Sequence, residues 1–484
     1  MIAFLVSLAV LIGGYFIYGS IVEKVFQTDA SRPTPAVTMA DGVDYVPMPA
    51  WKVFLIQFLN IAGLGPIFGA IMGVMYGPAA FLWIVLGTIF AGAVHDFVAG
   101  MISLRSGGSS LPEIVGRELG TGVKQVLRIF SVVLLILVGG VFVVTTSGLL
   151  ASLTPQSLNV TFWAVVIFVY YLLATMFPID KLIGNIYPLF AGVLLFMAVG
   201  LVAVMLFGGV VMPDPFDGGI GNRYAGELID THPIFPMLFI SIACGAISGF
   251  HATQSPMMAR CMKNERLARP VFYGAMVAEG VVALIWAAAA ITFTGGYDGL
   301  SSYMSEPGHS PSSLIHDIST GWLGTVGGLL AVIGVIAAPI TTGDTALRSA
   351  RLIVADFTRF PQNKLWQRAL ISLPLFALTF AVMMIDFNVL WRYFAWSNQA
   401  LSVFTLWACT VYLARHGRFY LITLLPAMFM TVVTTSYILV APSPEGFGLD
   451  YMTGIWCGVA LAAIFTALFA RSLTAMRSLS RSNL

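Results

Sequence analysis

FLNIAGLGPIFGAIMG, residues 58–73, is a hydrophobic run that cannot form one continuous helix. Gly63, Gly65 and Pro66 fall near its middle. Proline removes a backbone donor and clashes with the preceding turn, and glycine loses the most freedom on becoming helical. A second interrupted run, SIACGAISGFHATQSP at 241–256, carries Gly245, Gly249 and Pro256 beside a train of polar side chains. In lipid every backbone N–H and C=O must be met within the protein, so a broken helix there faces other protein or a wet cavity. Paired interruptions in corresponding positions are the sequence mark of a carrier's binding site.

The rest of the chain fits a bilayer. Of its 484 residues 58% are hydrophobic and 10% are charged, whereas soluble domains are roughly a quarter charged. Thirteen stretches are long and apolar enough to span: 3–22, 53–75, 79–103, 125–150, 160–178, 184–207, 234–256, 270–294, 321–345, 366–385, 389–414, 418–440 and 451–471. The first lacks a basic flank and a small-residue cleavage site, so it reads as a spanning helix and not a removable signal. Cys244, Cys261, Cys409 and Cys457 have no paired spacing and imply neither a disulfide nor a metal. The net charge of +2 is scattered over short loops, which excludes a nucleic-acid face.

Basic residues give the orientation. Arg105, Arg117 and Lys124 follow span three, and Arg260, Lys263, Arg266 and Arg269 follow span seven. Arg348, Arg351, Arg359, Lys364 and Arg368 follow span nine, and Arg471, Arg477 and Arg481 lie in the tail. Loops after even-numbered spans hold acids instead, among them Asp214, Asp298 and Glu445. The C-terminus is then cytoplasmic and the N-terminus periplasmic. The two interrupted spans lie five apart and cross in opposite directions, the arithmetic of an inverted five-helix repeat, 53–207 against 234–414. Helices 1–22 and 418–471 are peripheral to it, and 1–484 is one transmembrane domain. The second helix of each half is followed by an amphipathic stretch, with Leu111, Ile114, Val115 and Leu119 in one and Leu314, Ile315 and Ile318 in the other.

NIAGLGPIFGAIMG, AGAVHDFVAGMISLRSGGSSLPEIVG and SGFHATQSPMMAR together resemble the carbon starvation protein (CstA) family, over roughly residues 50 to 360. The resemblance implies a bacterial inner-membrane carrier of peptides, or of pyruvate in some members. It also implies the LeuT-like inverted repeat of the amino acid–polyamine–organocation superfamily. The expected fold is therefore an all-α membrane protein of about thirteen transmembrane helices with a 5+5 core and discontinuous helices. NIAGLGP is similar to the first unwound helix of sodium-coupled LeuT-like carriers, whose cation is shared with the third helix of the second repeat. That similarity implies a cation held by carbonyls near Leu59, Ala62 and Ala338 and by the hydroxyls of Thr341 and Thr342. The residues alone equally allow these threonines to bond their own helix, with Asp344 capping it or pairing with Arg348.

Gly63, Gly65, Gly245, Ser248, His251, Thr253 and Gln254 are the candidate substrate residues, because polar groups inside a membrane are costly unless a ligand or another helix meets them. Interhelical hydrogen bonding is the plainer reading of the same side chains. His95, Asp96 and His251 are candidates for a proton relay. Side chains at i and i+1 diverge on a helix, so His95 and Asp96 are expected not to pair, and Asp96 to find a cation or Arg260. A structural latch is the alternative for that pair. Glu279 has no partner legible in the sequence, and Asn398 and Gln399 can reach the cavity. The expected function is secondary active import of a small organic nutrient, a short peptide or pyruvate-like carboxylate, coupled to Na+ or H+. A membrane-embedded enzyme lacks clustered ligands here, the histidines being far apart in sequence, and a channel lacks a repeated pore loop. No cofactor is implied beyond the coupling ion; the partners are the bilayer and the substrate.

Overall fold

The computed structural model of the chain describes residues 1–177, 183–224, 228–307, 309–385, 387–443 and 445–482. Pro178, the predicted end of the fifth span, and the side chains of Arg477 and Arg481 lie outside the described residues. The described residues form helices and turns without a strand. In order they are α1 (Ile2–Phe26), α2 (Ala50–Ile61), α3 (Gly65–Tyr76), α4 (Ala79–Arg105), α5 (Leu111–Leu119), α6 (Thr121–Leu153), α7 (Val160–Met176) and α8 (Ile183–Phe207). Then come α9 (Ile234–Ser241), α10 (His251–Ala259), α11 (Glu265–Phe293), α12 (Tyr297–Ser305), α13 (Pro311–Thr358), α14 (Leu365–Val382), α15 (Phe387–Arg415), α16 (Leu421–Val440) and α17 (Tyr451–Ser482).

Each of the thirteen predicted stretches contains helix among its described residues. Among the described residues nine helices are individually long and apolar enough to cross a bilayer, and the pair α2–α3, bent by 56°, makes a tenth. The other interrupted stretch separates α9 from α10 by the non-helical residues 242–250. Its Gly245 has φ +96°, a left-handed backbone that side-chain-bearing residues rarely adopt.

The two breaks lie against each other. A Cβ on Gly65 would come within 2.1 Å of the Cβ of Cys244, so only glycine lets the chain cross there. Long α13 runs beside α6 and α8, while α1 lies on α4 and α11 and α16 packs between α15 and α17. Both amphipathic stretches are helical with the predicted apolar face inward: Leu111, Ile114 and Val115 on α5, and Leu314, Ile315 and Ile318 on the first turns of α13, are buried. Gly324, at φ +66°, kinks α13 between this short arm and its spanning part.

Span nine corrects the sequence reading. The chain does not leave the helix near residue 345 but continues to Thr358. Arg348 and Arg351, read as loop charges, are therefore fully buried in α13. Residues 345–358 contain no glycine or proline, and arginine is a good helix former; hydropathy alone mistook the charges for an exit. Their counter-ion is Asp44, 3.4 Å from Arg348 and 3.2 Å from Arg351. It comes from the segment joining α1 to α2, which the sequence reading left without a role.

That segment seals one end of the bundle. Tyr45 donates to the Gly107 carbonyl (3.0 Å), Met48 N–H to the Cys261 carbonyl (3.0 Å), and Arg105 forks onto Glu265 (3.0 and 2.9 Å). At the opposite end Tyr297 donates to the Pro215 carbonyl (2.7 Å) and Arg223 N–H to the Met75 carbonyl (3.1 Å). Single cysteines introduced at Arg117 on α5 and at Ser302 on α12 will therefore react with an impermeant maleimide from opposite faces of sealed vesicles. Labelling from the same face would remove the inverted arrangement.

Candidate functional site

Two connected features surround the breaks. A cavity of about 770 Å³ opens between α3, α6, the short arm of α13 and α15, with Met72, Leu149, Ser313, His316, Val335 and Arg392 on its wall. A smaller pocket of about 200 Å³ reaches the breaks themselves, lined by Gly65, Cys244, Phe394, Tyr437 and Glu445. Trp391 and Arg392 line both. The Asp44 cluster lies at the opposite end of α13 from the outer cavity.

Beyond Cys244 lies a row of buried titratable groups. Asp96 accepts from His95 Nδ1 (2.8 Å) on one oxygen and from His251 Nδ1 (2.9 Å) on the other. His251 Nε2 then faces Glu279 Oε2 at 3.4 Å. All four side chains have no exposed surface. Two expectations are thereby corrected. His95 and Asp96 do pair, because imidazole Nδ1 lies close enough to its own backbone to swing back onto the next carboxylate. The partner of Asp96 is His251 and not Arg260, whose Nε instead bonds the Gly108 carbonyl at 3.0 Å. The histidines, isolated along the sequence, share one carboxylate.

This geometry assigns protons. An ionised carboxylate between two Nδ1 atoms holds each imidazole with its hydrogen on Nδ1. The Nε2 atoms of His95 and His251 are then bare acceptors, and neither has a hydrogen bond of normal geometry among the described residues. Both oxygens of Glu279 are in the same position. Two buried acceptors facing each other repel unless a hydrogen or a cation lies between them, and the smallest is a proton. Cys244, His251 and Glu279 each bring one ligand-type atom within 4.8 Å of the others, so a soft metal ion would find its first ligands here.

The other predicted residues surround the break. The Gly245 carbonyl accepts from Thr88 Oγ1 (2.8 Å), and Ser248 Oγ donates to Asn398 Oδ1 (3.0 Å). That oxygen also accepts from Phe250 N–H (2.7 Å), and Gln399 donates to the Ile247 carbonyl (2.9 Å). Asn398 and Gln399 thus satisfy backbone that the break leaves open. Thr253 donates to the Phe250 carbonyl (2.6 Å), and Gln254 to Thr253 Oγ1 (2.9 Å), both beside Ser349 of α13. Of the candidate substrate residues, Gly65 lines the inner pocket; Gly245, Ser248, His251, Thr253 and Gln254 are packed around the break and line neither of these two cavities.

Four of the five predicted cation ligands, Leu59, Ala338, Thr341 and Thr342, lie together. Thr342 Oγ1 donates to the Leu59 carbonyl at 3.0 Å, and Thr341 Oγ1 lies 2.8 Å from the Ala338 carbonyl and 3.4 Å from that of Leu59. Ala62 ends α2 with φ −79° and ψ 59°, and a Cβ on Gly63 would lie 3.2 Å from Thr342 Oγ1. Asp344 does not pair with Arg348. It accepts from Tyr170 (3.0 Å) and Tyr187 (2.5 Å), and the single hydroxyl hydrogen of Tyr187 is shared with the Thr341 carbonyl (2.9 Å). Arg348 is drawn off by Asp44 and by the Phe177 carbonyl at 2.8 Å.

The family of carbon starvation protein CstA matches residues 1–162 and 153–319. An uncharacterised membrane protein of Haemophilus influenzae is 44% identical over 60% of this chain and 91% of its own length. This chain belongs to the carbon starvation protein family. Within the family, it is 32% identical to the peptide transporter CstA of Campylobacter jejuni, over 56% of this chain and 47% of that one. It is 30% identical to the pyruvate/proton symporter BtsT of Escherichia coli, over 56% of this chain and 46% of that one. The chain therefore spans about half the length of these two relatives. Its fold is the expected LeuT-like one. MhsT, solved with L-phenylalanine, superposes with a TM-score of 0.55 at 14% identity over 87% of this chain and 98% of that one. A manganese transporter from Eremococcus coleocola gives 0.51 at 12% identity over 91% and 99%. With nine helices among the described residues long and apolar enough to span, the chain is a multi-pass membrane protein.

Sequence reasoning passed over Cys244, Glu279, Asp344 and Asp44 as members of these clusters. Each was visible as a polar or ionisable residue, and for Asp344 the local partner read from the sequence, Arg348, proved to be engaged elsewhere. What was missing was the helix it would meet.

Proposed function

We propose that the protein is a proton-coupled secondary transporter that imports a small carboxylate-bearing nutrient by alternating access, and that it is not an enzyme. The observation carrying this is the row His95–Asp96–His251–Glu279, which ends behind Cys244 on the wall of the inner pocket. A proton taken by His251 or Glu279 changes the charge next to the α9–α10 break, and the break is what must move for the carrier to turn over. Coupling needs this kind of differential affinity between two states. The pyruvate/proton symporter among the relatives supports both the ion and the class of substrate. The repeat boundaries 53–207 and 234–414, the bacterial inner membrane and a periplasmic N-terminus with a cytoplasmic C-terminus belong to the same reading. Gln27–Pro49, α5 and the sealed end would then be cytoplasmic, and the 770 Å³ cavity periplasmic.

Uptake of labelled pyruvate and of dialanine into membrane vesicles, with a pH gradient or a sodium gradient imposed alone, tests it. Accumulation driven by an inward proton gradient and unaffected by sodium is the expected result. Accumulation driven only by sodium would sink it. In that event the convergence of the Leu59 and Ala338 carbonyls with the hydroxyls of Thr341 and Thr342 favours a second reading, a sodium site tying α2 to α13. Thr341→Ala and Thr342→Ala separate the two. On the proton reading each leaves uptake indifferent to sodium; on the sodium reading each lowers apparent sodium affinity, and substrate affinity falls with it by linkage.

A further inference from the structure

The wall of the outer cavity has one sign of charge. Arg392 and His316 are its ionisable side chains, and no acid lines it among the described residues. The remaining surface is mostly apolar, with Met72, Leu149 and Val335 and a few hydroxyls at Ser310–Ser313. Its volume falls within the ~300–1,000 Å³ usual for small-molecule sites. The inner pocket, at about 200 Å³, is below that range, so what reaches the breaks is small.

Arg392 stands where the two meet. It lines both cavities, and its Nη1 is 2.8 Å from Glu445 Oε1. The other oxygen of Glu445 accepts from Tyr437 at 3.2 Å. Phe68, Trp391 and Phe394 form a line of rings beside this ion pair, with centroids 6.2 Å and 5.6 Å apart. The Arg392 side chain is 38% exposed, hence open to a ligand, while Glu445 is held from behind by the tyrosine.

We propose that Arg392 is the carboxylate-docking and specificity residue of the carrier. Its ion pair with Glu445 is the bar that an incoming carboxylate exchanges with on passing to the inner pocket. The substrate class this selects is the small monocarboxylate, because the outer cavity offers a cation and apolar surface and the inner pocket of about 200 Å³ admits only a small molecule. A planar fork of donors suits a carboxylate bidentately, and Glu445 takes one prong of it, through Nη1, as an internal stand-in for the ligand. The assignment rests on the transport reading above and narrows its substrate.

The test uses the full chain in proteoliposomes with labelled pyruvate and, in parallel, labelled dialanine, with unlabelled pyruvamide and dialanine as competitors, and the variants Arg392→Gln, Arg392→Lys and Glu445→Gln. Arg392→Gln should raise the KM for pyruvate about tenfold or more by removing a charge-assisted contact. Arg392→Lys should recover part of that loss, and Glu445→Gln should lower the KM, since it weakens the internal competitor. Pyruvamide and dialanine should compete poorly against pyruvate in the unaltered protein. Unchanged KM in Arg392→Gln, or a raised KM in Glu445→Gln, overturns the assignment while leaving transport intact. Uptake of dialanine without pyruvate also overturns it and again leaves transport standing. Uptake of neither by the unaltered protein removes the transport reading, and the assignment falls with it. Should Arg392→Gln fail to reach the membrane, the direction of the Glu445→Gln change decides.

Discussion

Asp96→Asn will abolish proton-driven accumulation, with uphill uptake falling by about 100-fold, each decade corresponding to about 1.4 kcal/mol. The physical reason lies in its two histidine neighbours. The carboxylate accepts from His95 Nδ1 and His251 Nδ1 at once. An asparagine amide has one acceptor and one donor end, so it can satisfy only one of those N–H groups. The other imidazole must move its hydrogen to Nε2, where it occupies the position that was to receive the transported proton. Substrate exchange down a gradient needs no net proton movement and should persist in the variant at normal membrane abundance. Counterflow of labelled pyruvate beside gradient-driven uptake measures the two separately. Full accumulation in Asp96→Asn would take this residue out of the coupling path. His251→Ala should behave similarly toward accumulation, and it should lose exchange as well, because it removes the first side chain of α10 and leaves Asp96 and Glu279 facing a hole.

Gly249→Ala is expected to be strongly destabilising for a single added methyl group. Its Cβ would lie 2.3 Å from Ser402 N, 2.4 Å from Asn398 O and 2.7 Å from Leu401 C. All three obstacles are backbone of α15, which cannot rotate aside as a side chain can. Overpacking against movable neighbours already costs about 1–3 kcal/mol, and a fixed wall costs more. Displacing α15 would also strain the bonds from Gly249 and Phe250 N–H to Asn398, at 3.2 and 2.7 Å. Gly192→Ala, where a Cβ meets nothing within 4 Å, is the control. Thermal unfolding in detergent should show a clear loss of midpoint for Gly249→Ala and none for Gly192→Ala. Equal midpoints would mean that α15 does not pack against this break in the membrane.

The breaks were legible because glycine and proline act locally. Whatever surrounds FLNIAGLGPIFGAIMG, Pro66 lacks an N–H, and the chain around Gly63 and Gly65 does not close a regular ladder. The amphipathic arms were legible for a similar reason: Leu111, Ile114 and Val115 share a face through helical geometry alone. The grouping of Leu59, Ala338, Thr341 and Thr342 was reached through resemblance to a family of carriers, and the structure brings those atoms together.

The partners of the charged residues were not legible. Asp96 meets a histidine 155 positions away, and Arg348 meets an aspartate 304 positions away. Hydropathy ranks residues along a line, so it detects that an ion lies in a membrane segment and stops there. Which ion it meets depends on the rotation of each helix about its axis and on how the helices cross. By itself the sequence determined that the chain is a bundle in lipid with two helices that must break, since those are consequences of local backbone chemistry and of the solvent. Only the tertiary structure decided that the two breaks touch at Gly65 and Cys244, that a histidine pair shares Asp96 behind them, and that Asp44 meets Arg348 and Arg351 at the far end of α13. Those outcomes follow from the packing of helices remote in sequence, where a single rotation of about 100° would have given every buried ion a different neighbour.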